Sequence, residues 1–311
     1  MSRGKEAIWS LVGLAAVAIS GFLLYRELSG HTLEELLAAF RAISAPRWTL
    51  AVLSTALAYV ALARYDQLAL AHLGRKLDWR FVAVVSFVTY ALAHNIGATM
   101  LSAAVARYRA YAPKGLSAAE VAAIVAFCSL TFGLGALLTG GLTLLVDPGL
   151  VARLNAPPWL ARWLAVLLLL GPWTYVLGAL LHFRPVTLAG FKIVYPRPPI
   201  AAHQMLVAPL ELIGAAGIIY FALPAAANPG FLAVLGVFLA SFSAALISHA
   251  PGGLGVLEFT FLKGMPDAPP AQVIAALLTF RLLYLIAPLI VSLAVVVMFE
   301  NRRMFALLRG R

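Results

Sequence analysis

Residues 231–263 read FLAVLGVFLASFSAALISHAPGGLGVLEFTFLK. The first eighteen, Phe231 to Ser248, are uncharged and almost wholly apolar, long enough to enter a bilayer as a helix. His249-Ala250-Pro251-Gly252-Gly253-Leu254-Gly255 then stops the helix, because proline lacks the N–H and glycine costs helix stability, before an apolar run resumes with Glu258 at its head. Non-helical backbone at membrane depth is tolerated only where protein or a water-filled cavity satisfies its amides and carbonyls. The stretch is therefore read as a re-entrant helical hairpin spanning 231–265. An earlier uncharged run, 81–106, is broken in the same way at His94-Asn95-Ile96-Gly97 and is read as a second such hairpin.

The remaining chain fits this setting. Of 311 residues, 63% are apolar and 11% charged, which excludes an ordinary water-soluble domain. Further uncharged runs cover 7–25, 121–146 and 163–183, and a continuous one extends from Leu212 to Leu257. The longest aqueous stretches, about 20 residues around 31–47 and 184–200, leave no room for a folded soluble catalytic domain. The net charge of +11 is read as orientation and contact with anionic headgroups, so no nucleic-acid partner is expected. The single cysteine, Cys128, excludes an intramolecular disulfide and a cysteine-based metal site. The 7–25 segment, basic at Arg3 and Lys5 and followed by Tyr25-Arg26-Glu27 with no cleavage site, is expected to be a retained helix.

Lysine and arginine accumulate on the cytoplasmic side, which ranks the topologies. Eight hydrophobic segments all crossing the membrane would put 11 basic residues inside and 10 outside, almost no bias. With 81–106 and 231–265 as hairpins returning to their side of entry, the count becomes 15 inside and 6 outside, with Arg64 and Arg281 at or in the membrane. The expected architecture is thus an all-α polytopic membrane protein with six spanning helices and two oppositely oriented re-entrant hairpins, an inverted repeat. Two sequence echoes accompany it. His94 and Gly97 recur as His249 and Gly252, and Ala119-Glu120-Val121-Ala122-Ala123 resembles Ala271-Gln272-Val273-Ile274-Ala275.

The chain divides as one transmembrane domain. A first helix and an interfacial helix occupy 1–47, the latter N-capped by Thr32 with Leu33, Leu36, Leu37 and Phe40 on one face along the outer surface. The first repeat is 48–146, a linking helix fills 147–200, the second repeat is 201–299 and a basic cytoplasmic tail ends the chain at 300–311.

Charges inside apolar spans are costly and therefore informative. Arg281, in Thr279-Phe280-Arg281-Leu282-Leu283-Tyr284 with Pro288 beyond, can hold a phosphate bidentately, or else pair with Glu258 or Glu211 or pack on Tyr284. Glu258 and Glu211 can neutralise Arg281 or attract a cationic headgroup. Helix packing is the plain alternative for Glu211, beside Pro209. Pro251, Gly252 and Gly253 leave a helix end whose N–H groups suit a lipid phosphate, or simply make a tight turn. His94 and Asn95, and His249 opposite, place polar groups at the breaks. Arg107 and Arg109, with Lys114, either anchor a helix at headgroups or gather anionic lipid from the inner leaflet. Arg64 and Asp66 are read as an interfacial pair, and His72, His182 and His203 as interfacial. No metal-ligand cluster, Gly-x-Ser-x-Gly elbow, P-loop or alcohol-phosphotransferase series is present, so no cofactor and no enzyme activity are expected.

Ser248 to Glu258, followed by Leu278 to Tyr284, resembles the signature of the lysylphosphatidylglycerol synthase transmembrane family, which includes the flippase half of MprF and the stand-alone YbhN-like proteins. His94-Asn95-Ile96-Gly97, Arg107-Tyr108-Arg109 and Gly115 to Glu120 agree with it, and the likeness covers most of the chain after about residue 48. The resemblance implies a lipid flippase of the bacterial inner membrane, with both termini cytoplasmic, moving an anionic or aminoacylated phospholipid of the phosphatidylglycerol type. With the chain ending at Arg311, no synthase activity is carried over, and hopanoid-linked, glycosylated or polyprenyl-phosphate lipids stay open as substrates. The expected partners are membrane phospholipid and either a second copy or a lipid-synthesis enzyme. The alternative is a non-transporting scaffold or regulatory subunit of a lipid, hopanoid or envelope-glycan synthesis complex.

Overall fold

The computed structural model describes residues 33–96, 99–154, 157–188, 191–248 and 253–309. The retained helix expected at 7–25 and the Thr32 cap lie outside them. The protein is an all-α polytopic membrane protein. Its helices are α1 (Leu33–Arg41), α2 (Ala45–His72), α3 (Trp79–Ile96), α4 (Thr99–Tyr111), α5 (Ala118–Val146), α6 (Pro158–Leu180), α7 (Pro198–Ala222), α8 (Phe231–Ser248), α9 (Val256–Gly264), α10 (Pro270–Phe280) and α11 (Ala287–Arg309). The linking region carries, besides α6, one antiparallel strand pair, Val186–Leu188 with Phe191–Ile193, which the sequence reading left unassigned.

Six described helices are long and apolar enough to cross a bilayer: 45–72, 118–146, 159–180, 198–222, 231–248 and 270–298. Five match expected spans. The sixth, α8, was expected as the first arm of a hairpin. α6 turns an apolar face outward, and Trp163 on it is 70% exposed. In water that face would be a liability; facing acyl chains it costs nothing.

The core is built on α2 and α7, which cross at very short range. A Cβ on Gly214 would lie 2.8 Å from the Ala58 nitrogen and the Ser54 carbonyl, and one on Gly217 would lie 2.8 Å from the Ser54 hydroxyl. Small residues permit this approach, and dispersion between closely packed backbones drives helix association where the hydrophobic effect is absent. The two run antiparallel, since the Arg47 guanidinium at the start of α2 donates to the Leu223 carbonyl at the end of α7.

Both broken segments fold as helical hairpins. In the first, Arg107 of α4 lies 5.0 Å over the Tyr90 ring of α3, and farther from the break Tyr111 meets Phe81 with ring centroids 6.1 Å apart. In the second, a Cβ on Gly253 would sit 3.0 Å from that of Ala245, and one on Gly264 would sit 2.6 Å from Val237. In each, then, the second arm runs back along the first. At 13 and 9 residues, α4 and α9 extend about 20 and 14 Å, short of a hydrocarbon core of about 30 Å. Gly253 and Gly255 supply the left-handed turns, with φ of +63° and +77°.

The last helix is interrupted. Arg281–Ile286 is π-helical, with the Ala287 N–H reaching five residues back to Leu282. Pro288 explains the defect: it has no N–H for the carbonyl four residues earlier, that of Tyr284. The Tyr59 hydroxyl on α2 takes that place, donating to the Tyr284 carbonyl at 2.9 Å. Asn95 Nδ2 at the end of α3 donates to the neighbouring Leu285 carbonyl at 3.1 Å.

Candidate functional site

The π segment brings together six of the residues singled out from sequence: Arg281, Glu258, Tyr284, Glu211, His94 and Asn95. Arg281 Nε donates to Glu258 Oε1 at 2.5 Å, with side-chain exposures of 14% and 8%. Glu258 is the third residue of α9, and its other oxygen accepts the Gly255 N–H at 2.8 Å, completing a capping arrangement at the helix start. A carboxylate is therefore held between a guanidinium and the N-terminus of a helix, the donor set that sequence reasoning assigned to a lipid phosphate.

One turn on, the Tyr284 hydroxyl donates to Glu211 Oε1 at 2.6 Å. The Tyr284 ring is sandwiched, with Phe280 at 5.1 Å on one contact and the His94 imidazole at 5.2 Å on another, both nearly parallel to it. Tyr59 lies 5.7 Å away, tilted. Thus α2, α3, α7 and the π segment meet at one polar knot inside an apolar protein, and Asn95 joins it through Leu285. Glu211 pairs with Tyr284 and not with Arg281. Gly253 is at the turn into α9, while His249, Pro251 and Gly252 lie outside the described residues.

Two expectations are corrected. Arg107 is not an exposed gatherer of lipid: it is 1% exposed, and its Nε and Nη2 donate to Asp66 Oδ1 and Oδ2 at 2.7 and 2.9 Å. Asp66 in turn is not Arg64's partner, since Arg64 donates to Gln67 and stacks 4.5 Å over Trp79. A two-toothed guanidinium–carboxylate pair is strong and directional, and burial demands that both partners stay together. Arg109, by contrast, is exposed near the end of α4. Tyr59 was missed. Its signal was available, for Tyr59 and Asp66 are seven apart and share one face of α2.

No family model matches the chain. Over 253 residues it is 32% identical to the inner membrane protein YbhN of Escherichia coli, covering 78% of this chain and 77% of that protein. The chain belongs to the YbhN-like family. Another relative, the uncharacterized protein slr0712 of Synechocystis, is 31% identical over 284 residues, 89% of this chain and 87% of its own length. More distantly, the chain is 26% identical over 305 residues to a phosphatidylglycerol lysyltransferase of Staphylococcus aureus. That match takes in 93% of this chain but 34% of the lysyltransferase.

Proposed function

We propose that this YbhN-like protein moves an anionic or aminoacylated phospholipid of the phosphatidylglycerol type between the leaflets of the bacterial inner membrane, without synthase activity. The observation that carries the reading is the Glu258 carboxylate bound by Arg281 and the Gly255 N–H. It occupies a ready-made anion site, and a lipid phosphate offers the same acceptor chemistry with more oxygens. Arg281 would exchange Glu258 for the phosphate while Glu258 stays tethered to α9, and Glu211 and Glu258 would receive an amino group on the headgroup. Arg109 at the exposed end of α4 would collect lipid before it enters.

The hairpin geometry supports a re-entrant, inverted-repeat topology, and the lysine and arginine count supports both termini cytoplasmic. Lys114 lies over Phe81, 5.3 Å from its ring, so the first hairpin returns to the level at which it began. In the second, Gly264 at the end of α9 comes back beside Val237, six residues into α8. In this topology the two hairpins enter from opposite faces and the whole chain is one transmembrane unit with membrane lipid as its partner, alternating access about the π segment.

The closed Arg281–Glu258 pair also favours a second reading, a non-transporting scaffold or regulatory subunit of a lipid or envelope-glycan synthesis complex, in which the pair is purely structural. Movement of fluorescent phosphatidylglycerol, its lysyl form and a polyprenyl phosphate in proteoliposomes decides between them. Transport of one of these, abolished in Arg281→Ala and partly kept in Arg281→Lys, supports the translocase and names its substrate. Transport of none by folded, correctly inserted protein favours the scaffold.

A further inference from the structure

Three acidic side chains are buried among the described residues: Asp66, Glu211 and Glu258. Two carry an arginine, Arg107 on Asp66 and Arg281 on Glu258. Glu211 does not. It lies near the middle of α7, 3% exposed, with one oxygen accepting the Tyr284 hydroxyl and the other, Oε2, without any hydrogen-bond partner. A charged carboxylate in such a place would have one neutral donor to offset its desolvation, whereas the neutral acid leaves only a hydroxyl to satisfy.

The neighbours supply no hidden cation. From α2, Tyr59 and Tyr65 point their hydroxyls at the carbonyls of Tyr284 and Ala208. Asp66 on the same helix is taken by Arg107. The π segment presents Tyr284, while its Arg281 holds Glu258. α3 contributes His94, stacked on Tyr284. α5 has Cys128, and its Glu120 holds Arg75 at the helix start. On α6, Tyr175 bonds Gln204, and α8 and α10 carry no titratable side chain.

We propose that Glu211 is a proton-binding site that couples lipid movement to proton movement: it carries a proton on Oε2 in the closed state and releases it to water when the site opens. The step breaks one O–H bond, leaves a carboxylate on Glu211 and delivers the proton to the aqueous side then accessible. The new anion lies next to the π segment that also bears Arg281, and competes with Glu258 for it. Proton release thereby loosens the clasp that closes the second hairpin. This coupling rests on the translocase reading of the same site.

The test uses the full chain in vesicles containing fluorescent phosphatidylglycerol, with two readouts. Infrared spectra of the wild type should show a protonated-carboxyl band that vanishes in Glu211→Gln and shifts in Tyr284→Phe, with both variants checked for an unchanged melting temperature. A gradient of one pH unit across the membrane should shift the steady-state leaflet ratio of the lipid by up to about tenfold per coupled proton. Because a steady-state ratio does not depend on turnover rate, Glu211→Gln should show no shift even if slower. Lipid movement with no gradient response and no Glu211-dependent band overturns the proton site and leaves the translocase reading intact. No lipid movement in the wild type, with the band present, sinks the translocase reading and the coupling while the protonated Glu211 stands.

Discussion

Arg107→Met should be among the most damaging single substitutions, through stability and not through lost lipid contact. The wild-type pair is fully enclosed: two bonds of 2.7 and 2.9 Å join Arg107 to Asp66, with the Tyr111 hydroxyl at 3.4 Å and the Tyr90 face at 5.0 Å as the remaining support. Removing the arginine leaves Asp66, at 0% exposure, with a single long hydrogen bond to Tyr111, and breaking a buried pair in this way costs about 3–5 kcal/mol. That is a loss of roughly two to four decades in the folding equilibrium. Asp66→Leu should cost a similar amount by stranding the guanidinium. The double variant Asp66→Leu/Arg107→Met removes both charges and should fall within about 1 kcal/mol of wild type. Equilibrium unfolding in mixed detergent micelles measures all four corners of this cycle. A cost under about 1 kcal/mol for Arg107→Met, or a double variant that costs the sum of the singles, would refute the stranded-charge penalty.

Further outcomes follow from the same geometry. Gly214→Ala drives a Cβ to 2.8 Å from backbone atoms of Ala58 and Ser54, and the melting temperature of the purified protein should register a loss of about 1–3 kcal/mol. Tyr59→Phe leaves the Tyr284 carbonyl without its donor, costing about 1–3 kcal/mol, and adding Pro288→Ala restores an N–H and should recover most of it in the same melting assay. With Cys128 replaced by alanine, Arg109→Cys should be labelled by an impermeant thiol reagent only from the cytoplasmic side and Asp267→Cys only from the outside. Both labelled from one side would end the two-hairpin topology.

Much of this was legible because the bilayer simplifies the code. A run such as 118–146 can be little other than a spanning helix, and the breaks at 94–97 and 249–255 announce hairpins through residues that cannot continue one. Arg281 was recognisable as a charge needing an answer, whether a lipid phosphate, Glu258 or Glu211, because a charge in an apolar run is costly. What sequence hid was the choice among answers. Arg64 is two residues from Asp66, yet side chains so spaced point to different faces of a helix, and the true partner, Arg107, comes from another segment 41 positions on. The π segment was equally hidden. Pro288 predicts a defect, but whether it becomes a kink or a wider turn depends on Tyr59 and Asn95 arriving from α2 and α3 to claim the freed carbonyls. The small strand pair at 186–193 lies outside the hydrophobic runs, where periodicity is silent.

At the centre of the account is an exchange in which Arg281 gives up Glu258 for a lipid phosphate. Phosphatidylglycerol retained by the purified protein, read by native mass spectrometry against a zwitterionic competitor, tests that exchange without requiring turnover. Glu258→Gln, which removes the competing carboxylate, should retain several times more of the anionic lipid than wild type, and Arg281→Ala should retain almost none. Equal retention in all three proteins would contradict the exchange and leave the pair a structural clasp.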